Sequence, residues 1–434
     1  MKSLLARPDV RRLGTFLALA MLAALVTGPD GTQARPWSGF QHSWLDVRVL
    51  QFLVPAVLLA FAGTFFAPRK AAVTAAVSRT RQTVTKPLAR PMVKSAIYGA
   101  MALFAVLYPL RLSNYWLTVL VDQIGIYVLL AIGLNVVVGF AGLLDLGYIA
   151  FYAIGAYTTA YFTGKLPAHP PVTLNPFLIF PVAVLIAMLA GLLLGAPTLR
   201  LRGDYLAIVT LGFGEIVRIT AVNTDSVTNG PRGTFGVPHF SINLGFFHYK
   251  WTLSQLPYYY LLLVVIALVW FVLARLEDSR IGRAWTAIRE DEVAAEASGI
   301  PTLKLKLMAF AIGASTSGFA GVIYASKVGS FTPDNFVLLQ SILVLVMVIF
   351  GGMGSIPGVM LGAVVLGWLP NYLRDYVRAT DRFIYFGALL VIMMIFRPQG
   401  LLPSKRRARE IAIVEDAESV LGAEAEVVDS VDNS

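Results

Sequence analysis

Residues 279–301 read SRIGRAWTAIREDEVAAEASGIP, a charge-dense segment that separates two long apolar runs. A charge at the centre of a membrane costs roughly 2.5–3.5 kcal/mol on insertion scales, so this segment must lie in water or at the membrane surface. Ser279 can cap its start, and Gly299 followed by Pro301 supplies a C-terminal cap and a stop. The pattern predicts a single amphipathic helix of about four turns.

The composition indicates a membrane protein. Of the 434 residues, 57% are hydrophobic and only 14% are charged, which is too little polar surface to coat a soluble globule. Apolar runs recur along the whole chain, several of them interrupted by glycines. We therefore predict an all-α polytopic membrane protein with about 10–12 transmembrane or re-entrant helices, some of them broken at Gly-rich stretches.

The sequence lacks the signatures of an enzyme. It has no cysteine, and its four histidines are scattered without the spacing of metal ligands. Neither a phosphate-binding loop nor a Gly-x-Ser-x-Gly or His-Glu-x-x-His motif occurs. We expect no catalytic site, no metal and no cofactor bound by this chain. A transport role fits this pattern better than catalysis.

Basic residues indicate the orientation in the membrane. The loop 68–94 carries many lysines and arginines and no acidic residue, so we predict that it is cytoplasmic. It lacks the interleaved aromatic residues of a nucleic-acid site, so no nucleic-acid partner is expected. If every apolar run crosses the membrane, residues 279–301 are also cytoplasmic, whereas 165–176 and 223–256 lie outside.

The distribution of apolar runs and charged residues divides the chain into three parts. Residues 1–94 are predicted to form two accessory spans and the basic cytoplasmic loop. Residues 95–404 form the core, with the polar helix at about 280–300. Residues 405–434 are predicted to form a disordered cytoplasmic tail, because the chain turns acidic after Arg409 and has no sustained apolar period.

Two glycine-dense stretches interrupt the apolar runs. They are GFAGLLDLG at 139–147 and GGMGSIPG at 351–358. Glycine permits bends and close backbone approach, so these stretches can line a translocation pathway or can simply pack helices tightly. The candidate pathway residues here are Gly139, Gly142, Asp145, Gly351, Gly352 and Gly354.

One further run carries charges. Glu215 and Arg218 lie three residues apart, so they can pair on one helix face. We expect an intramembrane charge to face the interior of the bundle. There the pair either belongs to a pathway or gate or is a structural ion pair. Asn135, in an otherwise apolar run, is expected to join neighbouring helices rather than bind a ligand.

Five ordered blocks of sequence carry a family resemblance. They are GLNVVVGFAGLLDLGYIAFYAIGAY (133–157), LRLRGDYLAIVTLGFGEIVRI (199–219), GRAWTAIREDEVAAEASGI (282–300), GGMGSIPG (351–358) and FRPQGLLP (396–403). Together they resemble the LivM-type permease subunit of branched-chain amino acid ABC importers, over roughly residues 95–405.

The resemblance implies a set of partners in the bacterial inner membrane. These are a second, related permease, two cytoplasmic ATP-binding subunits that use the ATP, and a periplasmic solute-binding protein, with membrane lipid around the spans. It also implies that the polar segment is a coupling helix, docked on an ATPase and moving the apolar runs 257–275 and 308–328.

The coupling helix of this family carries the pattern E-A-A-x-x-x-G. Ala294, Ala295 and Gly299 match it, but Val293 stands in place of the glutamate, for which Glu292 or Glu296 can compensate. The residues predicted to couple to the ATPase are Arg283, Arg289, Glu290, Asp291, Glu292, Ala294, Ala295 and Gly299.

Two alternative functions stay open. A permease of a urea or short-amide ABC importer shares much of this pattern. An ion-coupled secondary transporter has similar spans but needs no polar coupling helix, and it should contain several intramembrane carboxylates. The candidates for such carboxylates are Glu215, Asp145 and Asp122.

Overall fold

A computed structural model describes residues 105–199, 203–243, 248–252, 254–375 and 397–403 apart from 398, with a few single positions between 103 and 394. The chain divides into two compact units, Met1–Leu107 and Tyr108–Ser434, and nearly all of the described residues belong to the second. The predicted accessory spans, the basic loop and the acidic tail lie outside the described residues.

The second unit is built from helices. Their bounds are α1 Asn114–Phe140, α2 Ile149–Phe162, α3 Pro176–Thr198, α4 Asp204–Asn223, α5 Asp225–Thr228, α6 Gln255–Glu277, α7 Arg280–Glu290, α8 Glu292–Ala297, α9 Thr302–Val328, α10 Leu338–Gly351 and α11 Ile356–Tyr372. Within α1, two turns are π-helical, Val119–Gly125 and Asn135–Phe140. Short 3₁₀ turns cover Tyr108–Arg111, Gly230–Arg232, Pro333–Phe336 and Leu373–Asp375.

Four short strands form two small antiparallel pairs. Strand β1 (Thr234–Phe235) pairs with β4 (Ser330–Phe331), and β2 (Ser241–Asn243) pairs with β3 (His248–Lys250). Both pairs involve the segments predicted to lie outside the membrane or the turn after α9. These segments therefore gather at one end of the bundle.

The all-α polytopic class is confirmed. Among the described residues, six helical segments are long and apolar enough to cross a membrane: α1, α3, α4, α6, α9 and Pro333–Gly351, which joins a 3₁₀ turn to α10. The apolar runs at 146–164 and 355–372 form the helices α2 and α11, which are shorter than the roughly 20 residues that a span needs.

Small residues bring the central helices α2, α3 and α9 into close contact. A Cβ atom added to Gly155 would lie 2.5 Å from the carbonyl oxygen of Gly318, and one added to Gly191 would lie 2.8 Å from the Cβ of Ala314. Helices in a membrane associate through such packing because lipid supplies no hydrophobic driving force between them. These contacts hold α9 at the centre, where it positions the polar helices.

The prediction of one continuous polar helix is wrong. Ser279 caps α7 as expected, since its Oγ accepts from the backbone N–H groups of Ile281 and Gly282. The helix ends at Glu290, because Asp291 adopts an extended backbone and its carboxylate accepts from the N–H groups of Val293 and Ala294, which starts α8. Aspartate favours such an N-cap over a helix interior. We call α7 and α8 together the polar helix pair.

The C-terminal cap of the polar segment and the two predicted breaks are confirmed. Gly299 follows α8 with a φ of 81°, in the left-handed region that glycine favours. The chain is non-helical between α1 and α2, at 141–148, and between α10 and α11, at 352–355. We call these two stretches the first break and the second break.

Candidate functional site

The inner face of the polar helix pair is anchored by an aromatic residue. Trp285 is fully buried, and its Nε1–H donates to the carbonyl oxygen of Leu305, 2.7 Å away. Its ring lies nearly parallel to that of Phe140, with 6.5 Å between the centroids. A buried indole needs such a hydrogen-bond partner, and stacking adds to its packing. Trp285 thus ties α7 to both α1 and α9.

An ion pair anchors α8. The Nζ of Lys306 lies 2.5 Å from Oε1 of Glu292, and the lysine side chain is only 5% exposed. A charge buried to this degree requires an opposite charge nearby. Glu292 therefore neutralises a residue of α9 within the same chain.

Arg289 connects α7 to the first break. Its Nη1 donates to the carbonyl oxygen of Gly139. Gly142 has a φ of 72°, and a Cβ atom there would lie 2.7 Å from Cγ of Arg289. The backbone of the first break therefore rests directly on the arginine side chain.

The outer face of the polar helix pair is exposed. Of the eight residues predicted to couple to an ATPase, five are exposed: Arg283, Glu290, Asp291, Ala294 and Gly299. Val293, which stands where the family pattern has glutamate, is 60% exposed. We call Val293, Ala294, Glu296 and Ala297 the α8 face.

The other three residues predicted for coupling lie toward the rest of the chain. Ala295 is buried, while Arg289 and Glu292 make the contacts described above. The suggestion that Glu292 replaces the missing glutamate of the pattern does not fit this geometry, because its carboxylate is paired with Lys306. Glu296 is the exposed alternative.

Asn135, in the last turns of α1 just before the first break, contacts the second break. Its Oδ1 accepts from the backbone N–H of Gly354 at 2.9 Å, across 219 positions of sequence. A Cβ atom on Gly139 would lie 2.0 Å from the same Oδ1 and 2.6 Å from the nitrogen of Gly354. The prediction that Asn135 joins helices is confirmed. Its Nδ2 is buried and has no hydrogen-bond partner within the described part of the chain.

Asp145 lies fully buried in the first break. Its Oδ1 accepts from the backbone N–H of Gly147 at 2.9 Å, whereas Oδ2 has no hydrogen-bond partner among the described residues. Next to it, the N–H of Leu146 donates to Oγ1 of Thr210, which attaches the break to α4. Asp145 therefore stabilises the turn with one oxygen.

The second break is packed against Leu402, which belongs to the last of the five resemblance blocks. Gly351 approaches α11 so closely that a Cβ atom would lie 2.3 Å from the carbonyl oxygen of Gly358. Gly352 has a φ of 116° and adjoins Leu402, whose N–H donates to the carbonyl oxygen of Gly351 at 3.0 Å. These contacts favour the packing interpretation for Gly351 and Gly352, and a pathway role stays a prediction.

Glu215 and Arg218 form the expected pair, 2.6 Å apart, but they do not face the interior. The Glu215 side chain is 40% exposed on the surface of the chain, and Arg218 also contacts Asp334 at 3.2 Å. The expected orientation toward the interior of this chain's bundle is wrong, because α4 packs only part of its surface against the other helices of the chain. A role of the pair in a pathway or gate stays a prediction. The contacts are those of a structural ion pair.

A cavity of about 200 Å³ lies between the polar helix pair and the first break. Its lining consists of Ala141, Gly142, Leu143, Leu144, Gly203, Leu206, Ile288, Arg289, Glu292 and Lys306. All three charged side chains of this lining already have partners within the chain. The described residues contain no cluster of histidine and carboxylate side chains that could hold a metal ion.

Sequence reasoning missed several of these residues. Trp285 and Ile288 are apolar at helical spacing on an otherwise charged helix, which could have marked the buried face. Lys306 and Lys327 are charges in an apolar run, which require partners. The Nζ of Lys327 lies 3.3 Å from Oδ1 of Asp122 and also lies over the ring of Tyr258.

Comparisons with known proteins give the family. The model of the "Branched-chain amino acid transport system / permease component" family matches residues 116–397. The permease LivM of Escherichia coli K12 is 41% identical over 71% of this chain and 74% of its own length. A probable LivM of Methanocaldococcus jannaschii is 24% identical over 65% of this chain and 91% of its length.

A second kind of permease is also similar. LivH of Escherichia coli K12 is 26% identical over 64% of this chain and 91% of its own length. No solved structure matches the chain significantly. The candidate spans and the bacterial relatives make this a multi-pass protein of the bacterial inner membrane. The chain belongs to the family of permease components of branched-chain amino acid transport systems.

Proposed function

We propose that the chain is one of two permeases in an ATP-driven importer of branched-chain amino acids. Its partners are a second, related permease, two cytoplasmic ATP-binding subunits that consume ATP, and a periplasmic solute-binding protein. Similarity to both LivM and LivH, which are separate permeases in Escherichia coli, supports the pairing of two permeases.

The polar helix pair is the observation that carries the proposal. Its inner face is fixed by Trp285, Arg289 and Glu292. The α8 face is exposed and combines three small or apolar side chains with the carboxylate of Glu296. An unpartnered face on a rigidly attached helix suits docking against another protein. An ion-coupled transporter has no use for such a surface.

A transport mechanism follows from the way in which Trp285, Arg289 and Glu292 attach the polar helix pair to α1 and α9. When ATP closes the partner subunits, the docked α8 face moves with them, and the anchors transmit the displacement to α1 and α9. Access then switches from the outer to the inner side. Coupling of this kind requires that the contacts differ between the two states. The described residues of this chain transmit the movement through their contacts, while ATP hydrolysis takes place in the ATP-binding subunits.

Reconstitution tests the function. Proteoliposomes that contain the two permeases and the ATPase subunits, supplied with the binding protein and ATP, should accumulate labelled leucine. Urea in excess should not compete, and collapse of ion gradients should leave the uptake unchanged. Uptake of urea instead of leucine would support the short-amide alternative, and uptake abolished by an ionophore with ATP present would support a secondary transporter.

A further inference from the structure

We propose that Arg289 is a positioning residue that ties the polar helix pair to both glycine-dense breaks, so that motion of the pair displaces the two breaks together. This inference rests on the proposed function. It concerns how displacement passes from the surface of the chain into the membrane-embedded helices.

The carbonyl group of Gly139 explains the need for this arginine. In a continuous α-helix that carbonyl accepts from the N–H of Leu143. Here the π-helical turn redirects the bonds, and the N–H groups of Ala141 and Leu143 donate to Val136 and Val137 at 3.1 and 3.0 Å. Arg289 supplies the donor from α7. A guanidinium also complements the negative end of a helix dipole.

A second contact joins the same two segments. A Cβ atom on Gly142 would lie 2.7 Å from Cγ, 3.1 Å from Cβ and 3.3 Å from Cα of Arg289. The first break therefore packs on the aliphatic part of the arginine, while its guanidinium binds the carbonyl. Steric contact and hydrogen bond both oppose separation of α7 from the break.

The connection continues to the second break. Asn135 lies one turn before Gly139 in α1, and its Oδ1 holds the N–H of Gly354. Gly352, two residues earlier, adjoins Leu402. Displacement of α7 without the end of α1 would leave the Gly139 carbonyl buried and unpaired, which is unfavourable. Displacement of the end of α1 in turn disturbs the contact of Asn135 with Gly354.

The experiment compares two substitutions that separate the parts of the arginine. Arg289→Met keeps the aliphatic stem and removes the donors, and Arg289→Lys keeps one charged donor. In the assembled complex with ATP, we expect Arg289→Met to lower leucine transported per ATP hydrolysed about tenfold, with hydrolysis itself within about twofold of wild type. Arg289→Lys should recover a substantial part of that ratio.

Arg280→Met provides the matched control, since Arg280 is an exposed arginine on the same helix. It should leave the ratio unchanged. An unchanged ratio in Arg289→Met, or an equal fall in hydrolysis and uptake, would overturn the proposal. Gly142→Ala is the second variant if Arg289→Met does not assemble. It displaces the stem without removing the charge and should lower the same ratio, and normal coupling there would count against the proposal.

The wild-type complex separates failure of this inference from failure of the proposed function. If wild type transports no leucine with ATP, the proposed function is wrong. If wild type transports and Arg289→Met does so with the same efficiency, only the role of Arg289 is wrong.

Discussion

We expect Ala294→Trp to abolish leucine uptake while the chain still inserts into the membrane. Ala294 is exposed on the α8 face, between Val293 and Ala297. A bulky side chain there prevents close docking of a partner, and a loss of 2 kcal/mol at the centre of an interface weakens binding about thirtyfold. Co-purification of the ATPase subunits should fall in parallel with uptake.

The control for this variant places the same side chain elsewhere. Val172 is 59% exposed in the segment predicted to lie on the outer side, so Val172→Trp places the same bulky side chain away from the α8 face. It should leave ATPase co-purification unchanged. Normal co-purification and uptake in Ala294→Trp would show that this face docks nothing.

We expect Gly139→Ala to remove transport and to lower the thermal stability of the purified chain. The added Cβ atom would lie 2.0 Å from Oδ1 of Asn135 and 2.6 Å from the nitrogen of Gly354, and the second atom belongs to backbone that cannot rotate away. Overpacking of this kind costs about 1–3 kcal/mol or more. Thermal unfolding in detergent and leucine uptake in proteoliposomes measure both effects.

Gly212→Ala is the matched control, because a Cβ atom on Gly212 meets nothing within 4 Å. In the middle of α4 this change should be neutral or stabilising by about 0.5–1 kcal/mol. The double variant Gly139→Ala with Asn135→Ala should recover little of the stability, because the clash with the nitrogen of Gly354 remains and the N–H of Gly354 loses its acceptor. Equal melting temperatures for Gly139→Ala and Gly212→Ala would contradict the packing of the two breaks.

Local signals predicted part of the polar segment. The cap at Ser279 and the left-handed residue at Gly299 depend on neighbouring positions, so the sequence shows them directly. The end of the first helix at Asp291 also has a local cause, but an aspartate fits equally well on the exposed face of a longer helix. Asp291 could therefore lie within one long helix or cap a second one, and in the structure it caps α8.

Long-range contacts could not be predicted in the same way. The bond between Asn135 and Gly354 joins residues 219 positions apart, and nothing local in either stretch selects the other. Lys306 signals that a buried charge needs a partner but does not identify Glu292. The side of α4 that faces the surface likewise depends on how the bundle packs. For these reasons the sequence predicted the breaks and charges correctly and the orientation of Glu215 wrongly.

The account depends on the polar helix pair lying in the cytoplasm, and single-cysteine labelling measures this directly, because the chain has no cysteine of its own. In membranes from cells that lack the ATPase subunits, which would otherwise cover the α8 face, Ala294→Cys should react with a membrane-impermeant maleimide in inverted vesicles and not in intact spheroplasts. Val172→Cys should show the opposite pattern. Labelling of Ala294→Cys in intact spheroplasts would place the pair on the outer side and contradict the account.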